Sequence, residues 1–132
     1  MRKFILPMLL VLVSSGAAAE WVALGSADSG DAYYDIYVNP ATIRKSGNMV
    51  KTWAMYDYKT TQVSDKGQMS HKAQLEYDCK DERSRLLYIS AYSGSMGNGN
   101  VVYSSDGIPG NWSPIVPGSV NEGAWKFACG KQ

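Results

Sequence analysis

Met69-Ser70-His71-Lys72-Ala73-Gln74-Leu75-Glu76-Tyr77-Asp78-Cys79 is the stretch whose reading decides the fold. In an extended chain Ala73, Leu75, Tyr77 and Cys79 fall on one side, and Ser70, Lys72, Gln74, Glu76 and Asp78 on the other. That alternation is the signature of a half-buried strand. The strand ends on one of only two cysteines; the other is Cys129. In an exported chain an even count reads as a disulfide, and two cysteines allow one pairing. The bond would close a loop of 50 positions, worth about 4 kcal/mol in the chain-entropy account. A redox-active or metal-binding pair is the rival, without CxxC spacing or clustered His behind it. If Cys79 meets Cys129, the side carrying Ala73, Leu75 and Tyr77 is the core side.

The segment that brings Cys129 back is helical. Ser119 and Glu122 form a capping box. Val120, Ala124, Phe127 and Ala128 recur at helical spacing, with Trp125 and Cys129 one turn apart beside them. Gly130 suits a left-handed cap, and Gly123 weakens the helix by about 1 kcal/mol relative to Ala. Upstream, Tyr, Trp, Val and Thr punctuated by turn residues read as strands. They span 21–26, 32–38, 49–60 and 83–93, with a short segment around Ile43. Gly97-Asn98-Gly99-Asn100 predicts a hairpin turn into a last strand, 101–105. From Asp106 to Gly118 the Gly and Pro residues exclude a central strand. The fold class is α+β: one antiparallel meander of about six strands packed against a C-terminal helix. In the strand 49–60, Trp53 and Met55 are placed inward. Tyr56 and Tyr58 then share the outer face with Lys72, Gln74 and Glu76.

The first nineteen residues read as a secretory signal: Arg2 and Lys3, an apolar run from Phe4 to Val13, and Ala17-Ala18-Ala19 before the cut. The apolar run is too short for a spanning helix, and no later run is longer. Residues 1–19 are thus assigned as signal peptide and 20–132 as one domain, exported to the periplasm or cell surface. No Cys stands beside the cleavage site for a lipid. Eleven basic residues against twelve acidic ones remain after cleavage, which argues against nucleic acid as partner. No catalytic constellation emerges. His71 is the sole histidine and lies in a strand without Cys, Asp or Glu at ligand spacing, so neither a metal nor another cofactor is expected. Asp28, Asp31 and Asp35 lack an EF-hand spacing. The glycines at 94, 97 and 99 lack the Lys-Ser/Thr pair and helix of a phosphate loop. Nine tyrosines suit a recognition surface, and Tyr56, Tyr58, Lys59, Lys72 and Glu76 form the candidate partner-binding surface. An open sheet edge makes a homodimer plausible.

Several short patterns occur in order: Tyr33-Tyr34-Asp35; Ile43, Arg44 and Gly47-Asn48; Val50-Lys51-Thr52-Trp53; Glu76-Tyr77-Asp78-Cys79; Trp112 with Pro114 and Val116; Pro117-Gly118-Ser119; Cys129. Their order and spacing resemble the surface-adhesin E family of Gram-negative bacteria over nearly all of the chain after residue 19. The resemblance implies an antiparallel sheet joined to a C-terminal helix by a disulfide. It also implies a non-enzymatic surface protein that binds host extracellular-matrix or plasma proteins. The matched positions Asp35, Trp53, Asp78, Cys79, Trp112, Pro117 and Cys129 look like scaffold. Adhesive members carry a lipid on an N-terminal Cys; without one, the alternative is a soluble periplasmic protein with a bacterial partner.

Overall fold

The computed structural model describes residues 20–28, 33–62, 67–107 and 111–131, so the assigned signal, 1–19, lies outside the described residues. Among the described residues eight strands and one α-helix follow in order: β1 (Val22–Asp28), β2 (Tyr33–Val38), β3 (Arg44–Ser46), β4 (Met49–Gln62), β5 (Gln68–Asp78), β6 (Arg83–Tyr92), β7 (Val101–Asp106), β8 (Ser113–Pro114) and α1 (Val120–Cys129). All strand pairs are antiparallel, and the main path through the sheet is β1-β2-β4-β5-β6-β7. The short β3 pairs with β4, and β8 pairs with β6. The six-strand meander and terminal helix read from the sequence are therefore the observed fold, with two short strands added.

The helix begins and ends as its sequence dictates. Ser119 Oγ accepts the Glu122 N–H at 3.1 Å, while Glu122 Oε1 accepts the Gly118 N–H at 3.3 Å, one residue earlier than a standard capping box. At the other end Gly130 adopts φ +68°, and the Lys131 N–H bonds the Lys126 carbonyl at 2.8 Å. Its buried residues Ala124, Trp125 and Ala128 pack on Val38, Val50, Ala54, Ala73, Leu75, Tyr77 and Ile115. The Trp125 indole donates to the Asp78 carbonyl at 3.0 Å. Tyr77, fully buried, donates to Asn121 Oδ1, whose amide donates to Ser84 Oγ, each at 3.1 Å. The Cys79–Cys129 disulfide closes the same contact, with Cα atoms 5.7 Å apart.

The register of β4 reverses one expectation. Val50 opposes Tyr77, Thr52 opposes Leu75, and Ala54 opposes Ala73, so these residues and Tyr56 face the helix. Trp53 and Met55, placed inward by the sequence reading, point to the opposite face. The reason is volume. Ala54, Ala73, Ala124 and Ala128 together let helix and sheet approach closely, a gap that Trp53 would overfill. Met55 is nonetheless fully buried, because the second face is covered too.

Part of that cover is the connection 93–100, which is a longer loop than the tight hairpin expected at 97–100. It folds back over β4 and β5. Ser70 Oγ donates to the Gly94 carbonyl at 2.6 Å and accepts the Gly97 N–H at 2.8 Å, and Asp57 Oδ1 accepts the Met96 N–H at 2.9 Å. Gly97 has φ +75°, a conformation that favours glycine, and a Cβ there would lie 2.6 Å from Lys72 Cε and displace the end of that side chain.

Candidate functional site

The helix covers only part of its sheet face. Beyond its N-terminus, β2, β4 and β5 place Tyr34, Tyr56, Tyr58 and His71 side by side, because Tyr34 opposes Tyr58 and Tyr56 opposes His71. The His71 ring stacks on Tyr56 at 4.5 Å, and its Nδ1 lies 3.2 Å from the Tyr58 hydroxyl. Tyr34 contacts Tyr56 and Tyr58 at 5.8 and 5.4 Å. Burial, then the neighbouring Tyr34 and Tyr58, push the Tyr56 hydroxyl up to about 12. A cleft of ≈ 440 Å³ runs from this cluster to the helix start, lined by Ser26, Ala27, Tyr34, Ile36, Tyr56 and Gly118 to Asn121.

The opposite face is built differently. Trp53 on β4 meets Tyr88 on β6 edge to face at 5.9 Å, across Gln74 on β5. In the next row Lys72 lies between Met55 and Ser90. Its ammonium stands 5.7 Å from the Trp21 ring centroid and 5.2 Å from that of Tyr92. At the far end Glu76 Oε1 bonds Arg85 Nη2 at 2.6 Å and Asp78 Oδ2 bonds Arg83 Nε at 3.0 Å. Both guanidinium carbons lie about 4.5 Å over the Trp112 ring, which pins the segment before β8 to the sheet. Lys59 is paired with Asp35, which Ser26 Oγ also bonds. These two hydrogen bonds, Lys59 first, hold the Asp35 carboxyl below the usual range.

The five residues of the candidate surface therefore do not form one patch. Tyr56 and Tyr58 line the helix side, whereas Lys72 and Glu76 lie on the other, since the phase of β4 is opposite to that expected, and Lys59, next to Tyr58 in the chain, pairs with Asp35 on that other face. The sequence reading did not include Trp21, Tyr34, Tyr88 and Tyr92, and it set His71 aside. A cue for Tyr88 and Tyr92 was present: both are aromatic and an even number of residues apart in one strand. Trp21 carried no such cue, because it precedes its strand. Among the described residues no group of three or more His, Cys, Asp or Glu comes together, and no helix is long and apolar enough to cross a membrane. Asp31 lies outside the described residues.

Fold and surface together define a small disulfide-locked sheet protein that presents aromatic surfaces on both faces. A family model described as surface-adhesin protein E matches residues 21–130, and the chain belongs to that family. It belongs, accordingly, with exported, adhesin-like proteins of the cell surface. Three solved structures of Haemophilus influenzae protein E share the fold. The crystal form II structure has a TM-score of 0.53 at 13% identity, covering 72% of this chain and 80% of its own. A second has a TM-score of 0.54 at 14% identity, covering 72% and 76%. A third, from a non-typeable strain, has a TM-score of 0.54 at 11% identity, covering 88% and 79%. No curated protein matches the chain.

Proposed function

We propose that this protein is a non-enzymatic binding module that engages a host extracellular-matrix or plasma protein through the sheet face turned away from its helix. The observation that carries this reading is the match to the surface-adhesin family over residues 21–130. The face supports it by composition: Trp53, Tyr88, Tyr92 and Trp21 are half-buried, so each still offers ring surface, and Lys72 stands among them. Trp and Tyr dominate binding energy at protein interfaces because they bury large area with few rotors to freeze. The residues 1–19 read as an export signal fit the same role.

Surface plasmon resonance of the oxidised protein against immobilised laminin, fibronectin, vitronectin and collagen tests the reading. Saturable binding to at least one, reduced by Trp53→Ala, is the expected outcome. Absence of binding to all of them, with the disulfide intact, removes it. Labelling of intact cells with an impermeant reagent is a second check, since an adhesin must be reachable from outside.

A further inference from the structure

The side chain of Lys72 is held in place more firmly than a surface lysine needs. Its strand, β5, is central in the sheet. Gly97 lies beside the end of its chain, where an added Cβ would come 2.6 Å from Cε. Its head is held between the Trp21 and Tyr92 rings. The neighbouring carboxylates are already engaged: Glu76 by Arg85, Asp57 by the Met96 N–H, and Asp35 by Lys59 and Ser26. Among the described residues none pairs with Lys72. The residue is half-buried, and an ammonium that faces only ring quadrupoles is a positive charge with which an incoming anion can pair.

We propose that Lys72 is the centre of an anion-recognition site that takes a side-chain carboxylate of an acidic, apolar-flanked segment on the partner protein. The proposal rests on the adhesin reading above and names the chemistry of its partner. The carboxylate meets Lys72 Nζ beside the half-buried Trp21 and Tyr92 rings, while the flanking apolar group lies on the Trp53–Tyr88 pair one row from Lys72. A polysulfated glycan suits this face less well. Such polyanions are read by clustered cations, whereas Arg83, Arg85 and Lys59 here are each paired with a carboxylate, and the exposed Lys51, with Arg44 opposite it on β3, stands two rows from Lys72.

A ¹H–¹⁵N NMR titration of the disulfide-bonded protein tests this, using the blocked pentapeptide Glu-Phe-Glu-Phe-Glu and its Gln-Phe-Gln-Phe-Gln counterpart. The Glu peptide is expected to shift the Lys72 and Tyr92 amides and the Trp21 and Trp53 indole N–H signals. The Gln peptide should bind about tenfold more weakly, the value of one modest charge pair. Lys72→Met should lose the same factor and Lys72→Arg should keep the preference, each with the dispersion of a folded spectrum. Equal affinity for both peptides, shifts confined to the Tyr34–Tyr58 cleft, or tighter binding of a heparin fragment at the same residues would overturn the site. Matrix-protein binding undiminished by Lys72→Met also overturns it and leaves the adhesin reading standing. Peptide binding as expected, with no matrix protein captured, upholds the site and removes the host-protein reading instead.

Discussion

Asp78 closes the β5–β6 turn by itself. Its Oδ1 accepts the N–H groups of Lys80 and Asp81, each at 3.0 Å, and its Oδ2 accepts Arg83 Nε. The Asp81 N–H is the largest influence holding its carboxyl below the usual range; burial opposes it, and Arg83 and the Lys80 N–H add to it. A depressed folded pKa contributes stability that is present at neutral pH and is lost as pH falls below about 4. Asp78→Ala leaves two backbone donors and a guanidinium unanswered and should cost about 2–3 kcal/mol in urea unfolding, with a flatter acid limb between pH 5 and 2 than the parent chain. The tyrosines carry the opposite sign. Burial raises Tyr56 to about 12 and Tyr77 further in the same direction. The folded state therefore keeps phenolic protons that the unfolded chain releases near pH 10, and stability falls as pH rises from about 10 to 12. Absorbance at 295 nm should show these phenols ionising together with loss of near-UV circular dichroism.

At the scale of elements, α1 is the easiest to improve. Gly123 is exposed in mid-helix, and a Cβ there meets nothing within 4 Å. Gly123→Ala should raise stability by about 1 kcal/mol, seen as an increase in Tm. The extent of that helix was legible because its caps and stripe are local signals, although Trp125 rather than Val120 or Phe127 proves buried, and so was β5, whose alternation fixes which side meets Cys129. The phase of β4 was not legible. Val50 is 2% and Met55 0% exposed on opposite faces, so apolar residues occur on both sides and period two no longer distinguishes them. The segment 93–100 misled for another reason. Its glycines imply a tight turn, but its course is set by Asp57 and Ser70, which lie 39 and 27 positions from their partners and are invisible to local reading. The separation of Tyr56 and Tyr58 from Lys72 and Glu76 follows directly from the first of these.

For the whole molecule the Cys79–Cys129 bond joins the end of the central strand to the end of the helix. Reduction should lower the unfolding free energy by about 4 kcal/mol, read as a lower urea midpoint for the reduced, alkylated protein at pH 7. The helix rests on the sheet through small residues and two indole and phenol hydrogen bonds, so the reduced form should retain strand signal in circular dichroism while exposing its apolar face to a hydrophobic dye.

A cell held to a surface pulls on its attachment proteins, and the same bond decides how this one would stretch. Load applied between Glu20 and Lys131 passes from residue 79 directly to residue 129, so the chain between them bears no tension. Full extension then releases about 60 residues, roughly 210 Å, in place of the roughly 390 Å of the reduced chain. Optical-tweezer traces of oxidised and reduced protein should differ by that length. The oxidised molecule would be a short-reach tether in which β6, with Tyr88 and Tyr92, lies inside the covalent loop and out of the line of load, while β5 and Lys72 stay in it.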